Sequence, residues 1–357
     1  MSDIYVNYCR DSDIVGGTLE LLELSGLKKL VRAGMRVSLK PNMVVEKSPS
    51  LGATTHSEIA EAVIIYLKDL GVGDIEIIES AWIGASTKRA YKACGYDKLS
   101  AKYGVPLHDL KDDKIKKIKA GDYNLEVCAK AVDTDFLINM PVLKAHCQTR
   151  FTCSLKNIKG CISDGDKRRF HTLGLHKPIA YLNSAVKSHF CVVDGICGDL
   201  TFEEGGTPVA RNMLICGENP VLVDSYCCEL IGWRADEINY LKTARQIGVG
   251  EYYNAGTRIH EINRENKLKA AKSDRGAVER LAAHISEDKA CSACYSALIY
   301  ALHRVRGLSM SEQINVGQGF IGKGGRLGCG DCAAGCDKYI PGCPPKPTDI
   351  IRFLEQI

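Results

Sequence analysis

The chain has 357 residues, 45% of them apolar and 25% charged, the make-up of a soluble globular protein with room for two structural units or one large domain and an appended module. A net charge of +4 excludes a molecule that is a nucleic-acid cation as a whole, so any anion site has to be local. The opening MSDIYVNYCRD is charged and has no apolar signal region, and no run of about 18 apolar residues is present to span a bilayer, so the expected place is the cytoplasm, with no membrane involved.

In chain order the first half alternates short apolar runs with helical patterns. Ile4 to Cys9 is a strand, and Gly17 to Val31 carries leucines at helical spacing. Arg36 to Lys40 is a second strand and runs into the loop PNMVVEKSPSLGATTH. Ser57 to Leu70 is an amphipathic helix that Thr55 or Ser57 is placed to cap and Gly71 to close. Asp74 to Ser80, Phe136 to Met140, Phe190 to Asp194 and Met213 to Cys216 are further strands, and Pro220 to Ile231 is a buried helix opened by proline. Short apolar strands separated by helices imply an α/β fold, a mostly parallel sheet with helices on both faces. The expected units are an α/β domain over residues 1–255, a charge-rich helical connector over 256–288 and a small cysteine-rich module over 289–357. In the module, CSACYSALIYALHRV is a knuckle leading into a helix, Ile314 to Gly322 holds a glycine-rich strand, and PTDIIRFLEQI closes as a helix.

Seventeen cysteines are many for a reducing compartment, where a disulfide framework is not expected. Eleven are scattered, mostly inside apolar runs such as HFCVVDGI, and there a free thiol packs as a small hydrophobe. The other six are organised. Cys291 and Cys294 form a Cys-x-x-Cys pair, and Cys329, Cys332, Cys336 and Cys343 follow in GCGDCAAGCDKYIPGCPP. A two-residue spacer directs two sulfurs at one metal, and a distant Cys-Pro closes such a site, which is the pattern of iron–sulfur ligation. Structural zinc uses similar knuckles but without surplus thiols. A 4Fe–4S cluster takes four ligands, and the best four are Cys291, Cys294, Cys332 and Cys343. Six candidates also allow a larger cluster.

Residues 141–180 hold eight lysines and arginines against two acids, together with His146, His171 and His176. They follow the strand FLINM and so emerge at the carboxyl end of the sheet, where open parallel sheets bind ligands. Lys144, Lys156 and Lys159 there, with Lys40 from an earlier strand end, suit a small anion, and the histidines suit proton transfer. Asn42, Thr55, His56, Glu79 and Asp194 stand at neighbouring strand ends and, with Asn157 from the basic segment, complete an expected ring around one pocket. The run Lys167 to Arg169 reads equally well as a solvated loop. No aromatic side chains alternate with the lysines, so a nucleic-acid strand is not the expected ligand, and no Walker loop or clean G-x-G-x-x-G supports a nucleotide.

The runs SLKPNMV, ATTH, IIES, LINMPVLKAH, SLKNIKG and VVDGI, with a histidine after a basic patch, together resemble the family called domain of unknown function 362. The resemblance covers nearly the whole chain. It implies an iron–sulfur protein of anaerobic prokaryotes whose C-terminal ligands are a CxxC pair, a G-x-C and a GCPP, matching Cys291, Cys294, Cys332 and Cys343. Cys329 and Cys336 are extra to that pattern. YIPGCPP alone is similar to the cluster-binding end of the small subunits of respiratory complex I and nickel–iron hydrogenases. The expectation is an oxygen-sensitive reductase that passes electrons from a ferredoxin or flavodoxin-type donor through the cluster to a small anionic substrate, with Lys144, His146, His171 and His176 as catalytic groups. The alternatives are a ferredoxin-like electron carrier with no substrate of its own and a non-redox isomerase with a structural cluster. A homodimer that brings two clusters together stays open.

Overall fold

The computed structural model describes residues 3–201, 207–269, 271–274, 276–305 and 312–356. Its centre is a sheet of eight strands: β1 (Ile4–Tyr8), β2 (Arg36–Pro41), β3 (Asp74–Glu79), β4 (Leu107–Asp109), β5 (Phe136–Met140), β6 (Phe190–Asp199), β7 (Pro208–Gly217) and β8 (Ile259–Ile262). Their spatial order is β8-β1-β7-β6-β5-β2-β3-β4. Seven run the same way, and β7 alone runs against its neighbours β1 and β6.

Successive strand residues point to opposite faces, and here both faces are covered. Leu137, Val193 and Ile215 enter one core with the helices His176–Ala185, Pro220–Leu230 and Asn239–Gln246. Their neighbours Ile138, Val192 and Leu214 enter a second core with the helices Ile14–Ser25 and Ser57–Asp69. Continuous burial explains why these strands read as unbroken apolar runs and not as alternating ones. The helix Ser57–Asp69 forms as expected, but its start differs. His56 occupies the cap position without a side-chain cap bond, while Thr55 Oγ1 donates to the Met140 carbonyl (2.8 Å) and accepts from Asn42 N (2.8 Å). Thr55 ties two strand ends together and leaves the helix alone.

A third core belongs to the C-terminal region. Four parallel strands, β9 (Ile285–Glu287), β10 (Ile314–Val316), β11 (Gly325–Cys329) and β12 (Cys336–Ile340), lie in sequence order, packed with the helices Ser292–Arg304 and Pro347–Leu354. The stretch 256–288 holds β8, which joins the edge of the main sheet, besides the helix Ala277–Ala282; residues 270 and 275 of it lie outside the described residues. Among the described residues no helix is long and apolar enough to cross a membrane.

Candidate functional site

The carboxyl ends of β2 and β3 build the floor. Lys40 Nζ donates to Glu79 Oε2 (2.8 Å) and to the Pro41 carbonyl (2.8 Å), with both side chains buried. Glu79 also accepts from Met43 N (3.0 Å) and Ser80 N (2.7 Å). A buried ion pair survives only when its remaining bonds are satisfied, and this one is fixed framework. Gly160 passes directly over it: a Cβ there would lie 2.4 Å from Glu79 Oε1 and 2.8 Å from Lys40 Nζ. Any side chain there would have to displace the buried pair.

The short helix Ser154–Asn157 delivers the basic wall. Asn157 Nδ2 donates to Asn139 Oδ1 (2.7 Å) and to the Lys40 carbonyl (3.2 Å), which docks the helix on β2 and β5. Its first turn is capped from outside. Asp224, in the helix Pro220–Leu230, accepts from Ser154 N (2.7 Å) and Leu155 N (2.9 Å). Complete burial raises the Asp224 carboxyl to about 6, against the pull of those amide bonds.

Between this wall and the C-terminal region lies a cleft of about 850 Å³, its open mouth included. The cleft brings together six of the expected pocket residues, Asn42, Glu79, Lys156, Asn157, Lys159 and His171, with Cys291, Cys294 and Cys343. It adds Lys167, Arg168 and an apolar side formed by Val44, Trp82, Ile83 and Pro344. Lys167 Nζ donates to Ser80 Oγ (2.5 Å), Asp164 Oδ1 (2.9 Å) and the Ala81 carbonyl (3.0 Å), and burial holds this ammonium below its ordinary range. Lys167 and Arg168 line the cleft from the helix Asp164–Thr172, and the stretch is no loose loop. His171 is kept well below the ordinary imidazole range by burial, then by Lys159, His146 and Lys156. Lys159 Nζ stands 3.2 Å from His171 Nε2, so the ammonium donates and the ring accepts. His171 lines the cleft together with Cys291 and Ser292 of the C-terminal region. Asn42 Oδ1 is buried without a hydrogen-bond partner among the described residues.

The six clustered cysteines divide. Cys291 stands at the N-cap position of the helix Ser292–Arg304 without a side-chain cap bond, Cys294 lies in its first turn, Cys332 is in the turn Asp331–Ala333, and Cys343 is exposed before Pro344. The Cys291 thiol is raised by burial and then by Cys332 and Cys343, while Lys159 and Arg168 oppose the shift. Cys294 is raised by burial and then by Cys329, Cys291, Cys343 and Cys332. Cys332 is raised by burial, Cys343 and Asp331, opposed by Arg168. Cys291, Cys294 and Cys343 line the cleft, Cys332 acts on Cys291 and Cys294 from outside its lining, and Cys329 acts on Cys294 more than the other three do. Cys329, at the end of β11, is pushed to about 12 by burial alone, and Cys336, the first residue of β12, has its sulfur 3.6 Å from Asn315 Nδ2. Among the described residues no three His, Cys, Asp or Glu side chains converge to metal–ligand spacing, so Cys291, Cys294, Cys332 and Cys343 are not a closed coordination shell. As a donor set, four soft sulfurs on three loops fit a thiolate-ligated metal group.

The expected ring does not form as a whole. Lys144 is fully buried and donates to the Ala53 carbonyl (2.7 Å). His146 Nδ1 accepts from Gln148 N (2.9 Å) and Thr149 N (3.1 Å), and the ring lines a different cavity with Trp233 and Tyr295. His56 Nδ1 lies 2.8 Å from Asp194 Oδ2, forming a pair off the cleft wall. His176 stacks with Tyr240. Of the four residues expected to be catalytic, His171 alone is on the wall. Trp82 and Ile83 carried no sequence signal. Asp224 had one: a lone carboxylate inside the apolar helix PVLVDSYCC.

A family model described as "Domain of unknown function (DUF362)" matches residues 37–229. The thylakoid-associated protein sll1697 of Synechocystis sp. (strain ATCC 27184 / PCC 6803 / Kazusa) is 30% identical over 152 residues, 42% of this chain and 47% of that protein. The match thus spans about half the length of that curated relative. Among solved structures, the lactate racemase apoprotein from Thermoanaerobacterium thermosaccharolyticum aligns with a TM-score of 0.40 and 15% identity, covering 70% of this chain and 57% of that one, too loose a likeness to carry an argument.

Proposed function

The chain belongs to the DUF362 family, and from that premise we propose that it is a cytoplasmic iron–sulfur reductase acting on a small anionic substrate in the cleft. The observation that carries this reading is the shared wall: Cys291, Cys294 and Cys343 line the same cleft as Lys156, Lys159 and His171. A 4Fe–4S group held by Cys291, Cys294, Cys332 and Cys343 would supply electrons one at a time at the edge of the bound substrate. Lys156 and Lys159 hold the anion. His171 is neutral, so the mobile proton resides on Lys159 Nζ and His171 orients it. Val44, Trp82 and Ile83 exclude water from the far side. Cys343, exposed at the surface, marks the point of entry for electrons from a ferredoxin or flavodoxin-type donor.

The same exposure favours a second reading, a carrier that exchanges electrons with protein partners and uses the basic wall to offset cluster charge. Anaerobic purification with iron and sulfide assays and an absorbance spectrum tests the common premise. About four irons and four sulfides per chain are expected for a 4Fe–4S group. A colourless chain with one zinc overturns it. His171→Gln then separates the two readings, because a carrier keeps its full rate of electron exchange without the histidine.

A further inference from the structure

We infer that Gln318 is a positioning residue that raises the electron affinity of a metal group held at Cys291, by donating its side-chain amide to the Cys291 sulfur. The inference deepens the reductase reading and rests on its cysteine-ligated group.

Gln318 Nε2 stands among three acceptors: the Arg168 carbonyl at 3.3 Å, the Lys289 carbonyl at 3.4 Å and Cys291 Sγ at 3.6 Å. An amide oxygen in that place would face two carbonyl oxygens with no hydrogen between them, so the nitrogen is the atom turned inward. Its two hydrogens serve three acceptors. A sulfur that binds metal has lost its proton, and a charged acceptor holds an N–H about twice as strongly as a neutral one. The sulfur therefore wins the competition when it is a ligand. The Arg168 carbonyl belongs to the helix Asp164–Thr172, so the same amide ties the cleft wall to the turn before Cys291.

The backbone around Gln318 is built for close approach. Gly317 follows β10 at φ +121°, and a Cβ there would be 2.1 Å from the Asp288 carbonyl oxygen and 2.6 Å from Ala290 N. A Cβ on Gly319 would be 2.0 Å from Asp288 Cγ. Gln318 N donates to the Lys289 carbonyl (3.2 Å) and Gly319 N to the Asp288 carbonyl (2.9 Å). Lys289 itself stands at φ +57°, a left-handed conformation uncommon for a lysine, and its carbonyl receives both the backbone and the side-chain N–H of Gln318. Two glycines thus press the amide onto the residues that lead into Cys291.

A second glutamine acts on the same place in another way. Gln148 Nε2 donates to the Ala290 carbonyl (3.0 Å) and Gln148 Oε1 accepts from Ser292 Oγ (2.7 Å), so Gln148 holds the residues on either side of Cys291. Gln318 is the one that reaches the sulfur. An N–H aimed at a ligand sulfur stabilises negative charge, and the reduced group carries one negative charge more than the oxidised one. The bond is stronger after reduction, so its loss moves the potential down.

The test is a mediated redox titration of the anaerobically purified full chain, followed at its charge-transfer absorbance, with iron and sulfide measured on each sample. Gln318→Leu removes the donor and is expected to lower the equilibrium constant for reduction by about tenfold or more, which is about 59 mV toward negative potential for a one-electron couple. Gln318→Glu keeps the shape of the side chain with acceptors in place of the donor, and is expected to lower it at least as far. Gln148→Leu loses bonds to the flanking residues alone and is expected to keep the potential of the parent. An unchanged potential in both Gln318 variants overturns the inference and leaves the iron–sulfur reading standing. An equal shift in Gln148→Leu does the same, and so does loss of iron from both Gln318 variants with native circular dichroism spectra. An iron-free parent overturns both readings, and the metal assay identifies that case before any titration.

Discussion

Cys191 and Cys216 lie in adjacent strands of the main sheet with no exposed surface, and burial is the first cause that drives their thiols far above the ordinary range. Cys291 and Cys332 are partly exposed, and after burial what acts on them is charge on other cysteines, opposed by Arg168. The body uses cysteine as a small apolar filler whose thiolate is suppressed. In the C-terminal region other cysteines add to burial in raising Cys291 and Cys332, while nearby cations oppose the shift. A high cysteine count therefore says little, and the surroundings of each thiol say most.

The largest test of this division is metal content. Cys294→Ser is expected to remove nearly all iron and the charge-transfer absorbance, while Cys191→Ala and Cys336→Ala keep the iron-to-chain ratio of the parent; equal loss in all three breaks the comparison. Next comes stability. Asp224→Ala leaves two buried amides without an acceptor and is expected to cost about 2–3 kcal/mol in urea unfolding, with iron per chain unchanged. Gly84→Ala should be milder. A side chain at φ +92° costs about 1–2 kcal/mol, and the 3.1 Å approach to Pro344 shifts the turn that carries Trp82, so ligand affinity falls along with the melting temperature.

The smallest expected effect is in pH. Burial, then Arg150, holds His176 below its ordinary value of 6.5. A base with a depressed folded pKa takes up a proton more readily when unfolded, so stability is lost as the pH falls through about 6.5. The urea midpoint should drop between about pH 7.5 and 5.5, and His176→Gln should make that drop smaller. An unchanged drop removes His176 from the account.

Much of the main sheet was legible because fully buried strands leave continuous apolar runs. Phe136–Met140 is the strand that FLINM announced, and the helix Ser57–Asp69 ends one residue before the expected Leu70. The reversed direction of β7 was not legible, since MLIC reads the same in either sense and only its pairing with β1 and β6 decides. The small sheet was hidden for another reason: its strands are three to five residues long, too short for a period to show. The pocket was half legible. Glu79, expected at a strand end, and Asn157, expected in the basic segment, both line the cleft, but several loops leave that edge. Sequence does not say that His146 lines a cavity with Trp233 while His171 stands beside Lys159 on the cleft wall. The structure brings Cys291, Cys294 and Cys343 to one cleft, with Cys332 outside its lining and Cys329 acting on Cys294.

The position of β1 has a consequence for how the molecule is made. Its residues Ile4–Asn7 pair with Ile259–Ile262 on one side, and Tyr5–Tyr8 pair with Met213–Cys216 on the other. At about 5–20 residues per second, the first strand leaves the ribosome on the order of 10–40 s before its nearer partner exists. For that interval an apolar segment waits with both edges open, and the sheet closes around it only after strands more than 200 residues further along have been made.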